Sequence, residues 1–197
     1  MMESSMRLAP LPPNELSPGL KPFYDDMLKG VEAHLKGFTS KRADGALIGP
    51  FNPMLHFPQF GQPAWAYTKA LIDNSTLPKP AHEVAILVTG ARFGSRYELY
   101  AHERVGETAG LSKSKVATIV AGERPADLTA EEGIAYDLAA ALTRGGPLPE
   151  ATYQASIAAF GDQGTAEFVY LIGGYCLVSV MLNAYDVSVP GREEGLG

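Results

Sequence analysis

The chain has 197 residues, which is enough for one domain that buries about 70% of the surface exposed in its unfolded form. Its 46% hydrophobic and 19% charged residues are typical of a soluble globular protein, and no uninterrupted run of about eighteen apolar residues is present to span a bilayer. A net charge of −6 with scattered lysines and arginines argues against a nucleic-acid partner, and the single cysteine, Cys176, excludes an internal disulfide or a C-x-x-C redox pair.

The N-terminal region predicts an extended arm followed by a helix. Residues 1–22 hold five of the fifteen prolines, at spacings too close for a helix or a central strand. They show no basic region followed by an apolar run, so we expect no secretory signal and a cytoplasmic location. From Pro22 to about Leu35, apolar residues recur every three or four positions, which predicts a short amphipathic helix.

Two further stretches precede the main helical part. Residues 37–49 are polar and punctuated by glycine, and therefore predict a loop. Residues 49–58 are rich in proline and aromatic residues, and predict a rigid loop that either borders a small-molecule pocket or packs in the core. His56, within this loop, is a candidate for contact with a ligand.

From residue 62 onward the pattern is one helix after another. Capping signals mark several starts, such as Ser112 and the capping box formed by Thr129 and Glu132, and glycines mark several ends. No stretch that alternates apolar and polar residues competes with this interpretation. We therefore predict an all-α, single-domain helical bundle over residues 23–187 and a tail over residues 188–197. The predicted helices cover residues 62–74, about 80–90, 97–109, 112–120, 129–143, 149–160 and 165–186.

The last predicted helix is apolar around most of its circumference. A helix of this kind is buried inside a bundle or between subunits. Together with the proline-rich arm, it exceeds what one bundle of this length needs, and we therefore predict a homo-oligomer. No membrane partner is expected, because the most apolar stretch, residues 168–182, is too short to span a bilayer and is interrupted by Gly173 and Gly174.

Three proton-handling groups lie between residues 83 and 102 at spacings that can converge. Glu98 and His102 are four residues apart, so on a helix they share one face, close enough for a carboxylate to hydrogen-bond an imidazole. Ser95 lies one turn earlier on that face. Glu83 is fifteen residues before Glu98, roughly 22 Å along a straight helix, and can join the others only if the chain folds back.

Gly90 and Gly94 supply a place for the chain to fold back. Both tolerate strained or left-handed backbone, and the apolar run of residues 84–88 ends just before them. The simplest prediction is two helices that meet at a glycine-bearing corner.

The same stretch resembles the signature of the carboxymuconolactone decarboxylase and AhpD-like alkyl hydroperoxidase superfamily. That signature is a Glu, a C-x-x-C pair that begins twelve residues later, and a His four residues after the second Cys. Glu83 and His102 match the Glu and the His, whereas Ser95 and Glu98 occupy the two Cys positions. Residues 97–102, Tyr-Glu-Leu-Tyr-Ala-His, are similar to the Tyr-Glu-Trp-x-x-His pattern of the cysteine-free, decarboxylase-like branch, with Leu99 in place of the Trp.

The resemblance implies an AhpD-like helical fold, assembly into homotrimers or hexamers, and a cofactor-independent decarboxylase, a lyase of aromatic compound catabolism. Its substrate would be a small carboxylated lactone or ring-cleavage product. In this interpretation Glu98 with His102 delivers the proton that replaces carbon dioxide, and Glu83 orients the imidazole. The predicted substrate-binding residues are Ser95, Arg92, Arg96, His56 and Trp65, with either arginine holding a substrate carboxylate.

Other chemistries fit the residues less well. A metal site built on Glu83, Glu98 and His102 would need a second histidine, and His82 is expected to point off the face of Glu83, so neither a metal nor a cofactor is predicted. Ser95 and His102 are seven residues apart, which is too distant for a nucleophile and its base. A thiol peroxidase is disfavoured because both cysteines of the signature are replaced.

Two hypotheses therefore remain, an enzyme that uses acid and base chemistry and a protein without enzymatic activity. A carboxylate and an imidazole held in an apolar pocket push each other's pKa toward neutrality, which suits a proton shuttle. The same residues would form a structural hydrogen bond in a scaffold or a protein that only binds small molecules. A cavity that encloses Glu83, Glu98 and His102 favours the enzyme, whereas burial of these groups without a cavity favours the scaffold.

Overall fold

The computed structural model describes residues 6–34 and 37–191, and every regular element in these ranges is an α-helix. The prediction of an all-α fold is therefore confirmed for the described chain, where an isolated bridge between Lys41 and Leu47 is the only strand-like pairing. Residues 1–5 of the predicted arm, Leu35 of the first predicted helix and residues 192–197 of the predicted tail lie outside the described residues. The helices are α1 (Lys21–His34), α2 (Phe51–His56), α3 (Pro58–Asp73), α4 (Lys79–Phe93), α5 (Arg96–Ala109), α6 (Lys113–Val120), α7 (Ala130–Arg144) and α8 (Glu150–Ala184).

Helix α4 lies at the centre of the bundle and packs against α5, α6, α7 and α8. Its residues 83–90 are all buried, which explains why this part of the sequence shows an apolar run without a polar face. The main core forms where this run meets Leu138 of α7 and Phe168 and Leu171 of α8. The only charged side chain of α4 inside the bundle is that of Glu83, so the fold places a carboxyl group in an apolar core.

The predicted corner between α4 and α5 is confirmed, and it lies at Gly94. This glycine adopts the left-handed conformation, with φ 59° and ψ 33°, that favours a residue without a side chain. Its N–H donates to the carbonyl of Ala91, and the N–H of Ser95 donates to the carbonyl of Gly90, which together form a Schellman ending. Gly90 itself stays helical, and the chain reverses so that α5 packs along α4.

Several predicted helix ends are also confirmed. The Ser112 side chain accepts a hydrogen bond from the N–H of Lys115 at the start of α6, and Thr129 and Glu132 form a complete capping box at the start of α7. The two helices predicted over residues 149–160 and 165–186 form one element, α8, and the predicted break is reduced to a kink at Gly161, whose φ is 66° and ψ is −176°. These ends depend on local contacts, which is why they follow from short sequence patterns.

The prediction of a loop over residues 49–58 was wrong, because the short helix α2 forms there. Its two prolines do not prevent a helix: Pro50 precedes α2 and Pro53 lies in its first turn, where the missing N–H would have had no helical partner. Pro58 occupies the first turn of α3 for the same reason, and α3 therefore begins four residues before the predicted start at Gln62. Helix α2 brings Phe51 to the wall of the cavity described below.

The described part of the N-terminal arm packs on its own chain. The N–H of Arg7 donates to the carbonyl of Tyr185, and the side chain of Asn52 accepts from the N–H of Leu11 and donates to the carbonyl of Ala9. Asn52 is buried, so these contacts satisfy a polar side chain that α2 carries into the core. The described part of the arm thus packs against α2.

Helix α8 is the one helix of the described residues that is long and apolar enough to cross a membrane by length and composition. This is weak evidence for a membrane span, because one face of α8 packs against α4 and α7 as a core helix does. Its opposite face carries an apolar stripe that stays exposed. The stripe is formed by Val169, Tyr170, Leu177 and Val180.

Candidate active site

A cavity of about 80 Å³ lies between α3, α5 and α8, and α2 contributes to its wall. This volume is several times what one water molecule needs and is below the roughly 300–1,000 Å³ of pockets for drug-sized ligands, so it limits a ligand to a small molecule. Two side chains of the sequence motif, Glu98 and His102, face this cavity. The side chain of His82, the residue before Glu83, faces it as well. The remaining wall is mainly apolar and aromatic, and includes Phe38, Phe51, Met54, Leu71, Ile72, Tyr97, Leu171, Tyr175, Val178 and Leu182.

His102 pairs with Glu83 across the α4–α5 contact. Its Nδ1 lies 2.8 Å from Oε2 of Glu83, and both side chains are more than 90% buried. The hydrogen bond expected between Glu98 and His102 does not form, because the chain reversal at Gly94 brings the carboxyl group of Glu83 to the imidazole instead. The structure therefore brings the three predicted catalytic residues together, with Glu83 behind His102 and the other two on the cavity wall.

His82 also contacts the carboxyl group of Glu83. Its Nδ1 lies 3.2 Å from Oε1, so Glu83 is shared between two imidazoles that both face the cavity. The expectation that His82 points away from Glu83 was therefore wrong, because the side chains of adjacent residues fold towards each other at this helix surface. Within residues 6–34 and 37–191, no group of three or more histidine, cysteine or acidic side chains is arranged to hold a metal ion.

The Glu83 carboxyl group is held in its ionised form, so the expected shift of its pKa toward neutrality was wrong. Burial raises its pKa, but the charge of His102 and the hydrogen bonds from His102 and His82 outweigh that effect and lower the pKa to about 2. Since a carboxylate only accepts hydrogen bonds, the Nδ1 atom of His102 must carry a hydrogen. Its Nε2 atom, which has no hydrogen-bond partner among the described residues, is then the nitrogen available for chemistry.

Glu98 has the opposite environment. Burial raises its pKa to about 8, and the hydrogen bond from the hydroxyl of Ser179, with 2.7 Å between the oxygens, offsets this only in part. Its other oxygen, Oε1, is buried without a partner in the described part of the chain. At neutral pH Glu98 is therefore a protonated carboxylic acid, able to donate a proton.

Gly90 leaves the space that the Glu98 carboxyl group occupies. A Cβ atom at position 90 would lie 2.9 Å from Oε1 of Glu98 and 3.2 Å from the side chain of Leu99. The glycine is helical, so what matters at this position is the close approach of α5 and not the backbone conformation.

We therefore predict that Gly90→Ala destabilises the protein by about 1–3 kcal/mol, although Ala is the better helix former, because the added methyl group overpacks the site. Urea unfolding measures this effect. The matched control is Gly133→Ala in α7, where the new methyl group meets only the end of the Arg124 side chain. The control should be neutral or slightly stabilising, and equal stability of the two variants would contradict the close contact between α4 and Glu98.

Tyr175 is a cavity residue that the sequence did not reveal. Its ring meets the His102 ring edge to face, with centroids 5.0 Å apart, and its hydroxyl has no hydrogen-bond partner in the described ranges. Burial and the charges of Glu83 and Glu98 raise its pKa, so the phenol stays protonated and can donate a hydrogen bond. It was missed because it lies in an apolar helix, where a tyrosine reads as a core residue.

The two predicted arginines do not reach the cavity. Arg92 is exposed and lines a separate surface depression between α4, α6 and α7, because it leaves the opposite side of α4. Arg96 is exposed as well and forms an ion pair with Asp186, beyond the end of α8. Neither arginine is positioned to hold a substrate in the cavity.

The other three predicted substrate-binding residues also lie off the cavity wall. Ser95 is fully buried at the start of α5, and its hydroxyl has no partner among the residues that are described. His56 has its Nε2 atom 2.8 Å from the carbonyl oxygen of Ala9 in the arm. Trp65 is buried and donates from its indole nitrogen to the carboxyl group of Asp26, 2.6 Å away.

Comparison with known proteins identifies the fold. No protein-family model matches the sequence, and no curated protein matches it. Among solved structures, a peroxidase-related protein from Silicibacter sp. TM1040 is 17% identical, with a TM-score of 0.74 over 98% of this chain and 95% of that one. An AhpD-core, peroxidase-related protein from Ralstonia eutropha JMP134 is 15% identical, with a TM-score of 0.74 over 95% of this chain and 94% of that one.

A third similar structure is the debrominase Bmp8 in complex with 2,3,4-tribromopyrrole. It is 12% identical, with a TM-score of 0.72 over 98% of this chain and 96% of that one. The chain therefore has an AhpD-like helical fold over nearly its whole length, as the resemblance implied.

Proposed function

We propose that this chain is a cofactor-independent enzyme that transfers a proton on a small, mainly apolar substrate, and that its reaction is the decarboxylation of a carboxylated lactone or ring-cleavage product. One observation carries the proposal: His102 and Glu98 line one cavity, and the carboxyl group of Glu83 holds the His102 ring from behind. Pairs of carboxyl groups whose pKa values are pushed apart are typical of acid–base catalysis. The cavity argues against a plain scaffold, and turnover distinguishes the enzyme from a protein that only binds small molecules.

Each side chain has a defined role in this reaction. The Glu83 carboxylate accepts a hydrogen bond from the Nδ1–H of His102 and stabilises positive charge on the imidazole ring. The Nε2 atom of His102 can therefore take up or release a proton. Glu98, neutral at pH 7, donates its proton at the carbon that loses carbon dioxide. The hydroxyl of Tyr175 is available to stabilise negative charge on a substrate carbonyl oxygen.

The steps balance without an oxidant or a metal. The bond between the carboxylate carbon and its neighbour breaks, carbon dioxide leaves, and the electron pair passes into the conjugated carbonyl group. The carbanion then takes the proton of Glu98, and a water molecule that enters the cavity between His102 and Glu98 returns a proton to the Glu98 carboxylate.

The structural neighbours support a small cyclic substrate. The Bmp8 structure shows that a debrominase of this fold holds 2,3,4-tribromopyrrole, which is a single small ring. The aromatic residues Phe38, Phe51 and Tyr97 on the cavity wall of this chain suit a ring of similar size.

The experiment is to soak crystals with a panel of small carboxylated lactones and ring-cleavage acids, and to assay the same panel for release of carbon dioxide in deuterated water. We expect ligand density beside His102 and deuterium at the carbon that loses carbon dioxide. Ligands that bind only outside the cavity, with no turnover of any panel member, would argue against the proposal.

We predict no thiol-dependent peroxidase activity. The thiol positions of the peroxidase signature are Ser95 and Glu98, and Cys176 lies in α8, where burial and the charge of Glu98 raise the pKa of its thiol. Peroxide consumption with a dithiol reductant should therefore stay at the background rate in both wild type and Cys176→Ala. Consumption that is present in wild type and lost in the variant would overturn this prediction.

We also propose that the chain assembles as a homotrimer or a hexamer through the exposed stripe of α8. Leu177 and Val180 lie about half exposed at helical spacing, which is unusual for a helix that stays in contact with water. Sedimentation should give a mass well above the 21.0 kDa of one chain, and Leu177→Glu should shift it towards the monomer. Ala151→Glu, at an exposed position near the start of α8, is the control that should leave the mass unchanged. A wild-type monomer at micromolar concentration would contradict the assembly.

A further inference from the structure

The proposed substrate carries a carboxylate, yet no lysine or arginine of residues 6–34 and 37–191 lines the cavity. Arg92 and Arg96, which the sequence suggested for this role, lie elsewhere on the surface. The basic side chains on the cavity wall are His82 and His102. The side chains on this wall that can carry a positive charge are therefore both imidazoles.

The two histidines differ in how accessible they are. The side chain of His82 is 21% exposed and that of His102 is 9% exposed, so His82 lies nearer to solvent. Both rings direct Nδ1 to the carboxylate of Glu83, at 3.2 Å for His82 and 2.8 Å for His102. Each ring therefore has its Nδ1–H engaged and its Nε2 left over, and Glu83 fixes the orientation of both.

We infer that His82 is a substrate-binding residue whose imidazolium Nε2–H holds the carboxylate of the substrate at the more exposed side of the cavity. Glu83 is the counter-ion that stabilises this charge, and His102 and Glu98 remain free to handle the proton. The inference rests on the proposed function and narrows it. The ligand class is a small apolar molecule with an anionic group, and a neutral analogue of the same shape binds more weakly.

This assignment fits the rest of the wall. Glu98 is neutral at pH 7 and does not repel an anion, although its carboxyl group lies on the same cavity. An anion that entered without a partner would pay a large desolvation cost against residues such as Leu71, Ile72 and Val178. A charge-assisted hydrogen bond to His82 offsets that cost at the place where solvent is closest.

The test compares two probes of similar size, benzoate and benzyl alcohol, titrated into the full-length protein at constant pH. The ring signals of His102 in ¹H–¹⁵N spectra report entry into the cavity, and calorimetry gives the affinities. We expect wild type to bind benzoate about tenfold more tightly than benzyl alcohol, and His82→Gln to lose that preference while its affinity for benzyl alcohol is unchanged. Gln carries no charge and places its amide nitrogen at about the position of the imidazole Nε2, and circular dichroism checks that the variant is folded.

Lys79→Gln is the matched control, because it removes a positive charge from the exposed start of the same helix, outside the cavity. It should keep the tenfold preference. A preference that survives in His82→Gln, or that Lys79→Gln also abolishes, would overturn the assignment of His82. If benzyl alcohol perturbs His102 while benzoate shows no advantage in wild type, the His82 assignment fails and the catalytic cavity stands. If neither probe perturbs His102, the assignment of His82 and the proposed catalytic cavity both fail.

Discussion

His102→Ala is expected to lower turnover of the substrate by ~10²- to 10⁴-fold, which is the contribution of a positioned general acid or base. The imidazole is held by Glu83 at 2.8 Å and lines the cavity together with Glu98, whereas the second imidazole on Glu83, that of His82, lies nearer to solvent. Glu98→Gln should cause a loss of the same order, because the amide keeps the shape of the side chain but cannot supply the proton. Steady-state kinetics on the two variants measures both effects.

A purely structural role of these residues predicts a different outcome. The same substitutions would then cost roughly 1–3 kcal/mol of stability, as expected when a buried polar partner is deleted, and would leave ligand binding alone. Thermal melts and a ligand titration separate the two cases. A large loss of stability with unchanged binding and unchanged turnover would retire the catalytic assignment.

Raising the pH from about 5 to 9 is expected to destabilise wild type relative to Glu98→Gln. The pKa of Glu98 is raised from an ordinary value of 4.5 to about 8 in the folded chain. The stabilisation linked to its bound proton is fully present below pH 4.5 and is lost as the pH rises through 8, because the unfolded chain releases the proton first. The loss is on the order of 4 kcal/mol, since each pKa unit corresponds to ~1.4 kcal/mol.

Glu83 contributes with the opposite sign. Its pKa is lowered from 4.5 to about 2, so the stabilisation is present above pH 4.5 and is lost as the pH falls through 2. Urea unfolding of wild type, Glu98→Gln and Glu83→Gln at pH 5, 7 and 9 isolates the contribution of Glu98, because that of Glu83 changes only at lower pH. Between pH 5 and 9, the free energy of unfolding should decline less in Glu98→Gln than in wild type. Glu83→Gln should show the same decline as wild type. Parallel curves for wild type and Glu98→Gln would contradict the neutral state of Glu98.

Much of the fold was predictable because the determining contacts are local. The left-handed Gly94, the capping box of Thr129 and Glu132 and the break at Gly161 each act within a few residues, and each was found in the structure. The register of Glu98 and His102 on one helix also follows from spacing alone. The short helix α2 was missed because its prolines suggested a loop, although first-turn positions accept proline.

The site was predictable only in part, because its partners come from distant parts of the chain. Spacing could not show that His102 would pair with Glu83, and not with Glu98, before the depth of the α4–α5 contact was known. Ser179 meets Glu98 from 81 residues away, and Tyr175 reaches the same cavity from α8. The sequence could not show whether Arg92 and Arg96 face the cavity or solvent, since a charged residue at the end of a helix can face either way.

The most direct test of the account is a pH titration of the two carboxyl groups by ¹³C NMR on glutamate-labelled protein, with Glu83→Gln and Glu98→Gln used for assignment. We expect the Glu83 signal to keep the shift of a carboxylate down to about pH 3, and the Glu98 signal to keep the shift of a protonated acid at pH 7 and to titrate near 8. A Glu98 signal that titrates near the ordinary value of 4.5, so that both groups are ionised at neutral pH, would contradict a proton donor at this cavity.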